Sequence, residues 1–317
     1  MSSVPTTPQP HFFGLLYLDA EHVGATNARL DTHDEQRLTY LRNAAALASS
    51  LHRLGLPFTL LTNRAEELRE LARDRLEWQL FGIEDIPFTT PVPRGIRFYA
   101  AHFKLDAFRH LATLTLPYAV LVDLDVVAAE PPGPAFDWCV RRGLPLGYEI
   151  TDQLRGDRHV LDLQRLDARL GTLPWYGGEF LGGPPDFFAR LDAQIGRYLP
   201  RYLAEHQAFD HQGDETLTSA ALGALRLTGE TVQDAGRLGI ITRFWSVLPE
   251  HGQPAFGAHR HSALWHLPSD KHFLAGLPLP FDSQEFRRRF EGHLGRQRPK
   301  NALRHLARQF RRRGGQV

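Results

Sequence analysis

Two pairs of carboxylates in this 317-residue sequence stand where acids could do chemistry. The first, Asp123-Leu124-Asp125, follows the apolar run Tyr118-Ala119-Val120-Leu121-Val122 without a break. A phosphate ester bound with a divalent cation needs one or two carboxylates on a rigid mount, because Mg²⁺ or Mn²⁺ takes a few protein oxygens and completes its shell with phosphate and water. Side chains alternate along an extended backbone, so Asp123 and Asp125 would share one side and Leu124 would turn back into the core. The second pair, Asp214-Glu215, precedes the apolar stretch Leu217 to Leu227. There an acid complements the helix dipole, and a helix start is also a rigid mount for a reacting carboxylate. Between the pairs lies Trp175-Tyr176-Gly177-Gly178-Glu179-Phe180-Leu181-Gly182-Gly183. Its aromatic faces could stack on a sugar, and its glycines let backbone approach a ligand closely. Lys271 is a candidate to stabilise the charge that develops on a leaving diphosphate. Each feature has a plainer alternative: a turn cap for Asp123-Asp125, a first-turn acid for Asp214 or Glu215, and a glycine turn packed on core aromatics for residues 175–183.

These residues need elements to hold them. Phe12 to Leu18 reads as a buried strand that ends at Asp19, and residues 57–62 and 118–122 read as two more. Leu38, Leu41, Ala45, Leu47, Leu51 and Leu54 recur at near-helical spacing until Gly55 and Pro57 stop the helix. Further helices fit residues 65–76 and 98–113, with loop and short strand between them. Strands alternating with helices predict a parallel sheet covered on both faces, whose ligands bind beyond the carboxyl ends of the strands. Tyr17 and Asp19, Thr62 and Asn63, and Asp123 and Asp125 all fall at such ends, which is where a nucleotide site would form.

Composition narrows the class. With 42% hydrophobic and 23% charged residues the chain can bury a sizeable core, and no window holds the roughly 18 apolar residues of a membrane span. A single Cys139 rules out an intrachain disulfide, and residues 1–7 lack the basic start and apolar run of a secretion signal, so the reducing cytoplasm is expected. Residues 287–313 carry ten Arg and one Lys against Glu291 alone, an excess of +10 that leaves −9 for the rest of a chain of formal charge +1. Phe286, Phe290, Leu294, Leu303, Leu306 and Phe310 are interspersed among these cations, a pattern suited to peripheral contact with anionic lipid on the inner face of the membrane. A solvated helix and an RNA-binding tail are the alternatives to that contact; no nucleic-acid partner is expected.

The segment from Tyr118 to Val126 resembles the Asp-x-Asp strand of GT-A glycosyltransferases. Residues 175–183 are similar to the acceptor and donor loop of the retaining family that includes the ABO blood-group transferases, and Gly213-Asp214-Glu215-Thr216 is similar to that family's His-Asp-Glu-Ser. The order and rough spacing of the three motifs follow that family over about residues 95–225. Glu179 and Gly213 depart from it, replacing a small residue and a His. The bacterial lipopolysaccharide galactosyltransferases are a second resemblance, with Asp-Gln at the Asp214-Glu215 position and a late His as third metal ligand. His266 in Leu264-Trp265-His266-Leu267-Pro268 could match that His. The resemblance also implies a basic residue near the donor, for which His102 and Lys104 are candidates.

The sequence thus predicts an α/β GT-A domain over residues 1–281, with a nucleotide-binding half at about 10–130 and an acceptor half at about 131–281. A basic helical tail follows over 282–317. The expected activity is metal-dependent transfer from a nucleoside-diphosphate sugar, UDP-linked by resemblance, to a hydroxyl of a glycan or glycolipid, with retention. Asp123, Asp125 and His266 would hold Mn²⁺ or Mg²⁺. Tyr17, Asp19, Thr62, Asn63, His102, Lys104, Asp123 and Lys271 would bind the donor. Trp175, Tyr176, Gly177, Gly178 and Glu179 would shape the sugar and acceptor site; Glu215 would act at the anomeric carbon, and Asp214 would orient hydroxyls. A sugar-1-phosphate nucleotidyltransferase and a non-catalytic carbohydrate-binding protein are the alternatives. The first usually carries a Gly-rich, Arg/Lys-bearing loop after strand one, and residues 19–33 hold one Gly, one Arg and no Lys.

Overall fold

The apolar run at Phe12 forms strand β1 (His11–Leu16), which pairs in parallel with β2 (Phe58–Thr62) on one side and β4 (Ala119–Val122) on the other. The computed structural model describes residues 8–19, 32–73, 79–247 and 253–314, with the side chains of residues 33, 298, 300 and 302–314 excepted. Helix α1 (His33–His52) begins where the Thr32 hydroxyl accepts the Glu35 N–H, and the chain turns beyond it at Gly55, whose φ of 71° suits glycine. Helix α2 (Ala65–Ala72) and strand β3 (Gly82–Asp85) follow.

One helix over 98–113 is not what forms. Phe98 takes the left-handed conformation at φ 56°, a 3-10 turn covers Tyr99–Phe103, and only then does α3 (Lys104–Leu111) start. Tertiary packing accounts for this: Tyr17 stacks on Phe103 with ring centroids 4.0 Å apart and meets Tyr99 edge-on, which fixes the tight turn against the end of β1.

Helix α4 (Gly133–Arg142), strand β6 (Leu146–Glu149), helix α5 (Arg158–Leu166) and strand β7 (Tyr176–Gly183) lead to the long α6 (Pro185–Glu205), α7 (Asp214–Leu227) and the short β8 (Gln233–Asp234). The seven-stranded sheet has the order β3-β2-β1-β4-β7-β6-β8, parallel throughout except for β7, which runs antiparallel to both neighbours. The glycine segment 176–183 is therefore a central strand rather than the expected loop.

After β4 the chain turns at Leu124-Asp125 and enters a second sheet as β5 (Val126–Ala128), which pairs with β10 (Leu264–His266), itself paired with β9 (Ile241–Arg243). Polar groups of α1 fix this handover. Ser50 Oγ accepts the Ala128 N–H at 2.9 Å, and Arg53 donates to the carbonyls of Ala128 and Ala129. Under the second sheet lie α8 (Phe256–His259), α9 (Lys271–Ala275) and α10 (Ser283–Gly314).

Phe286 and Phe290 of α10 are fully buried in a small core with Val127, Phe244, Trp265 and Leu267. Their expected role at a lipid surface is corrected accordingly: they hold the helix against the strand that carries His266. Leu294 is partly buried against the same core, and Leu303, Leu306 and Phe310 lie outside the described side chains. No helix among the described residues is long and apolar enough to cross a membrane.

Candidate active site

Three chain segments meet where β4 ends. The register that sets His266 opposite Val126 brings its ring beside Asp125, and Nε2 lies 3.2 Å from Asp125 Oδ1 and 3.8 Å from Asp123 Oδ2. One donor atom from each of Asp123, Asp125 and His266 falls within 4.8 Å of the others. Strand β7 supplies the next layer: the Asp123 N–H donates to the Glu179 carbonyl at 3.1 Å, and the Glu179 carboxylate reaches His266 Nδ1 at 3.2 Å. A carboxylate behind one ring nitrogen fixes the imidazole and leaves the other nitrogen facing a metal. Two carboxylates and an imidazole on a rigid turn suit Mn²⁺ or Mg²⁺, so the donor set fits the cation expected from sequence.

Burial is the largest single influence at each group: it raises Asp123 and Asp214, whereas at Asp125, Glu179 and His266 the opposite charges together overrule it. Burial alone would raise the Asp125 carboxyl, but Lys271, with Nζ 2.5 Å from Oδ2, and His266 hold it far below the usual range. Glu179 is likewise buried, yet Arg243 and His266 keep it at about 2. His266 is raised to about 9, its burial outweighed by Asp125 and Glu179.

Lys104 joins this cluster to the second acid pair. Its Nζ donates to the Gly178 carbonyl at 2.8 Å and lies 2.7 Å from Asp123 Oδ1 and 3.4 Å from Asp214 Oδ2. A Cβ at residue 178 would sit 2.5 Å from Asp214 Oδ2 and 2.9 Å from Lys104 Nζ, so this contact requires glycine. Asp214 and Glu215 open α7, as the sequence predicts. Each oxygen of Glu215 has one hydrogen bond, Trp175 Nε1 to Oε2 at 3.0 Å and the Gly178 N–H to Oε1 at 3.3 Å. Each also faces a basic nitrogen: His211 Nε2 is 3.7 Å from Oε2, and Arg243 Nη1 is 4.0 Å from Oε1.

All these acids line one cleft of about 570 Å³, together with Tyr17, Lys104, Gly178 and Lys271. Tyr17 stands at its β1 side, its hydroxyl pushed up to about 12 by burial first and by Tyr99 second. Lys271 also donates to the Pro268 carbonyl at 3.0 Å.

Other expected site residues are placed elsewhere. Asn63 bonds both backbone groups of Leu18 at 2.9 Å and so ties the segment after β1 to the end of β2, while the buried Thr62 hydroxyl accepts the Arg64 N–H at the turn from β2 into α2. Asp19 lies three residues past β1 and is not part of the cleft lining, although its charge helps raise Tyr17. His102 turns into the core, with Nε2 2.9 Å from the Tyr202 hydroxyl, and burial lowers it to about 4. Trp175 and Tyr176 are each 1% exposed and offer no face to a sugar. Trp175 instead holds Glu215, and Tyr176 accepts from Arg226 at 3.0 Å. A Cβ at residue 177 would meet the Glu179 carboxylate, so Gly177 makes room for that acid, and Glu179 itself backs His266 rather than reaching outward.

The sequence pattern did not single out Arg243, His211 or Phe98. Arg243 ends β9, where the register facing His266 aims it at Glu179, with Nε 3.4 Å from Oε1. His211 stacks on the strained Phe98 with centroids 5.2 Å apart and ring planes 19° apart. A left-handed conformation at a bulky residue is worth about 1–3 kcal/mol of strain and recurs at ligand sites. No sequence signal marks it, since Phe is a poor residue for that conformation.

No family model matches this chain, and no curated protein matches it in sequence. Solved structures match it in fold. It is similar to an active-site mutant of LgtC and to the galactosyltransferase LgtC in complex with donor and acceptor sugar analogues. Each match has a TM-score of 0.52 and 12% identity over 85% of this chain and 98% of the other. LgtC belongs with the lipopolysaccharide galactosyltransferases, the second resemblance drawn from sequence. The architecture is that of GT-A glycosyltransferases: a mostly parallel seven-stranded sheet flanked by helices.

Proposed function

We propose that this chain is a metal-dependent glycosyltransferase that moves a sugar from a nucleoside-diphosphate donor, UDP-linked, to a hydroxyl of a glycan or glycolipid, with retention. The convergence of Asp123, Asp125 and His266 within 4.8 Å, in a cleft that also holds Asp214 and Glu215 on a GT-A sheet, is the main support. Asp123, Asp125 and His266 would hold Mn²⁺ or Mg²⁺, which when bound offsets the charge of the donor diphosphate. Lys271 stands beside Asp125, where a leaving diphosphate needs a cation. Tyr17 offers its ring at the β1 wall for the nucleotide.

Glu215, held by Trp175 and the Gly178 N–H, is the candidate nucleophile. One of its oxygens would bond to the anomeric carbon as the bond to diphosphate breaks. The acceptor oxygen would then displace Glu215 and give up its proton to the diphosphate. Asp214, paired through Oδ2 with Lys104 at the cleft wall, would orient sugar hydroxyls. Lys104, bonded to Gly178 and paired with Asp123 and Asp214, serves as a brace for the two acid pairs.

Incubation with UDP-sugars and Mn²⁺ tests the reading. Free UDP is the expected product. Pyrophosphate exchange with a sugar-1-phosphate would instead mark a nucleotidyltransferase, and binding without release of either would mark a lectin-like protein. For the tail, the buried Phe286 and Phe290 require a cut beyond Asn301. We expect a chain ending at residue 301 to lose salt-sensitive binding to anionic liposomes and to keep UDP release; unchanged liposome binding would remove the membrane from the proposal.

A further inference from the structure

Arg243 lines the cleft and also a second cavity of about 420 Å³ on its far side. Its guanidinium is the shared wall: Nε and Nη1 face Glu179 and Glu215 in the cleft, and Nη2 donates to Gln153 Oε1 at 3.3 Å in the second cavity. The side chain is nine-tenths buried, and no hydrogen bond satisfies Nε among the described residues. A pocket of this size, in which apolar side chains such as Ile241 and Pro254 alternate with a few fixed polar groups, suits a small ligand with both apolar faces and hydroxyls.

The second cavity is lined by more acids than cations. Its cations are committed: Arg237 to Asp234 at 3.3 Å, and Arg243 as above. His259 has Nδ1 2.6 Å from the Thr242 hydroxyl and Nε2 3.3 Å from the Pro254 carbonyl, and burial lowers its pKa. Glu149 and Asp152, by contrast, form no ion pair within 4.0 Å among the described residues, although Arg237 and Arg226 act on Glu149 from farther away. Three carboxylates, Glu149, Asp152 and Asp234, thus line the cavity against two guanidinium groups, and one of these, Arg243, faces the acids of the cleft. A Cβ at residue 236 would sit 2.7 Å from the Tyr148 ring and 3.2 Å from Asp234 Oδ1, so Gly236 lets that ring pack against the cavity wall.

We infer that the second cavity is a saccharide subsite for the acceptor, selecting a sugar without acidic groups, neutral or amino-substituted. This rests on the transferase reading for its role but not for its binding. Glu149 and Asp152 would accept hydrogen bonds from sugar hydroxyls or an ammonium and would repel a carboxylate or phosphate. Gln153 and Arg243 would set the sugar's reach toward Glu215.

Saturation-transfer NMR on the full chain tests this with methyl glucoside, glucosamine and glucuronate as probes. The first two should bind at least tenfold better than glucuronate. Ala258 is exposed at the cavity wall, so Ala258→Trp should block both without risk to the core and leave the melting shift produced by UDP with Mn²⁺ unchanged. The double variant Glu149→Gln with Asp152→Asn should admit glucuronate. Equal or better glucuronate binding to the wild type, no saccharide binding, or binding untouched by Ala258→Trp would each overturn the assignment. Saccharide binding blocked by Ala258→Trp in a protein that never releases UDP would uphold the subsite and refute the transferase reading.

Discussion

The ends of β2 and β4 carry similar polar residues on neighbouring parts of one sheet, and they do different work. Asn63 and Thr62 spend their polar atoms on backbone, Asn63 on Leu18 after β1 and Thr62 on Arg64 at the turn into α2. Asp123 and Asp125 spend theirs on Lys104, Lys271 and His266, charged side chains from three other segments. The strand ends differ in what crosses them. β2 lies between parallel strands, β1 and β3. β4 is flanked by the antiparallel β7 and hands the chain to a second sheet, so Glu179 and His266 arrive from the opposite direction. A strand end becomes a site where such a crossing adds a second set of side chains.

Asp125→Ala removes a carboxylate that two cations surround, and we expect activity to fall by at least a thousandfold in a protein that remains folded. Turnover that persists in this variant, or in excess chelator, would leave the β4 end no more functional than the β2 end. Glu215→Gln keeps shape and loses charge, so turnover should fall by a hundredfold or more with donor affinity nearly unchanged. If Glu215 only complements the α7 dipole, its replacement changes stability by about 0.3–1 kcal/mol and leaves turnover alone. NMR of the product's anomeric configuration separates the two accounts, because an inverted product excludes the nucleophile role.

Glu179→Gln acts one layer back. Loss of the charge behind His266 should weaken Mn²⁺ binding by about 10–100-fold, read by metal titration. The same residues set a pH dependence. His266 moves from 6.5 to about 9, so its stabilisation is complete below pH 6.5 and is lost as pH rises through 9. Glu179 moves from 4.5 to about 2, so its share is present above pH 4.5 and is lost as pH falls through 2. In chelator the melting temperature should therefore decline between pH 6.5 and 9, and in Glu179→Gln that decline should end at lower pH and be smaller in total, because one of the carboxylates that raise His266 is gone. A flat melting profile over that range would contradict the electrostatic account. The smallest effect is expected at β2: Asn63→Ala should cost about 1–3 kcal/mol of stability, read by denaturant unfolding, with Mn²⁺ affinity unchanged. A loss of metal affinity there would erase the distinction between the two strand ends.

Local chemistry alone determines much of this protein. The apolar runs at Phe12, Phe58 and Tyr118 specify buried parallel strands because they leave no polar face, and Gly55 stops α1 because its φ is positive. Asp123-Asp125 and the first-turn pair Asp214-Glu215 were legible for the same reason: an acid after an apolar strand or before an apolar helix has few other places to go. The sequence also held His266 in the right company, though only through resemblance. What it could not hold was direction. Whether Trp175 faces a sugar or Glu215, whether His102 faces the donor or Tyr202, and whether Arg243 belongs to the site at all depend on strand register and on which side chains cross from elsewhere. Those are long-range contacts. A residue's own type and neighbours fix which element it joins, but the partners that neutralise a buried charge such as Asp125 come from segments more than a hundred residues away, and only the packed sheet chooses them.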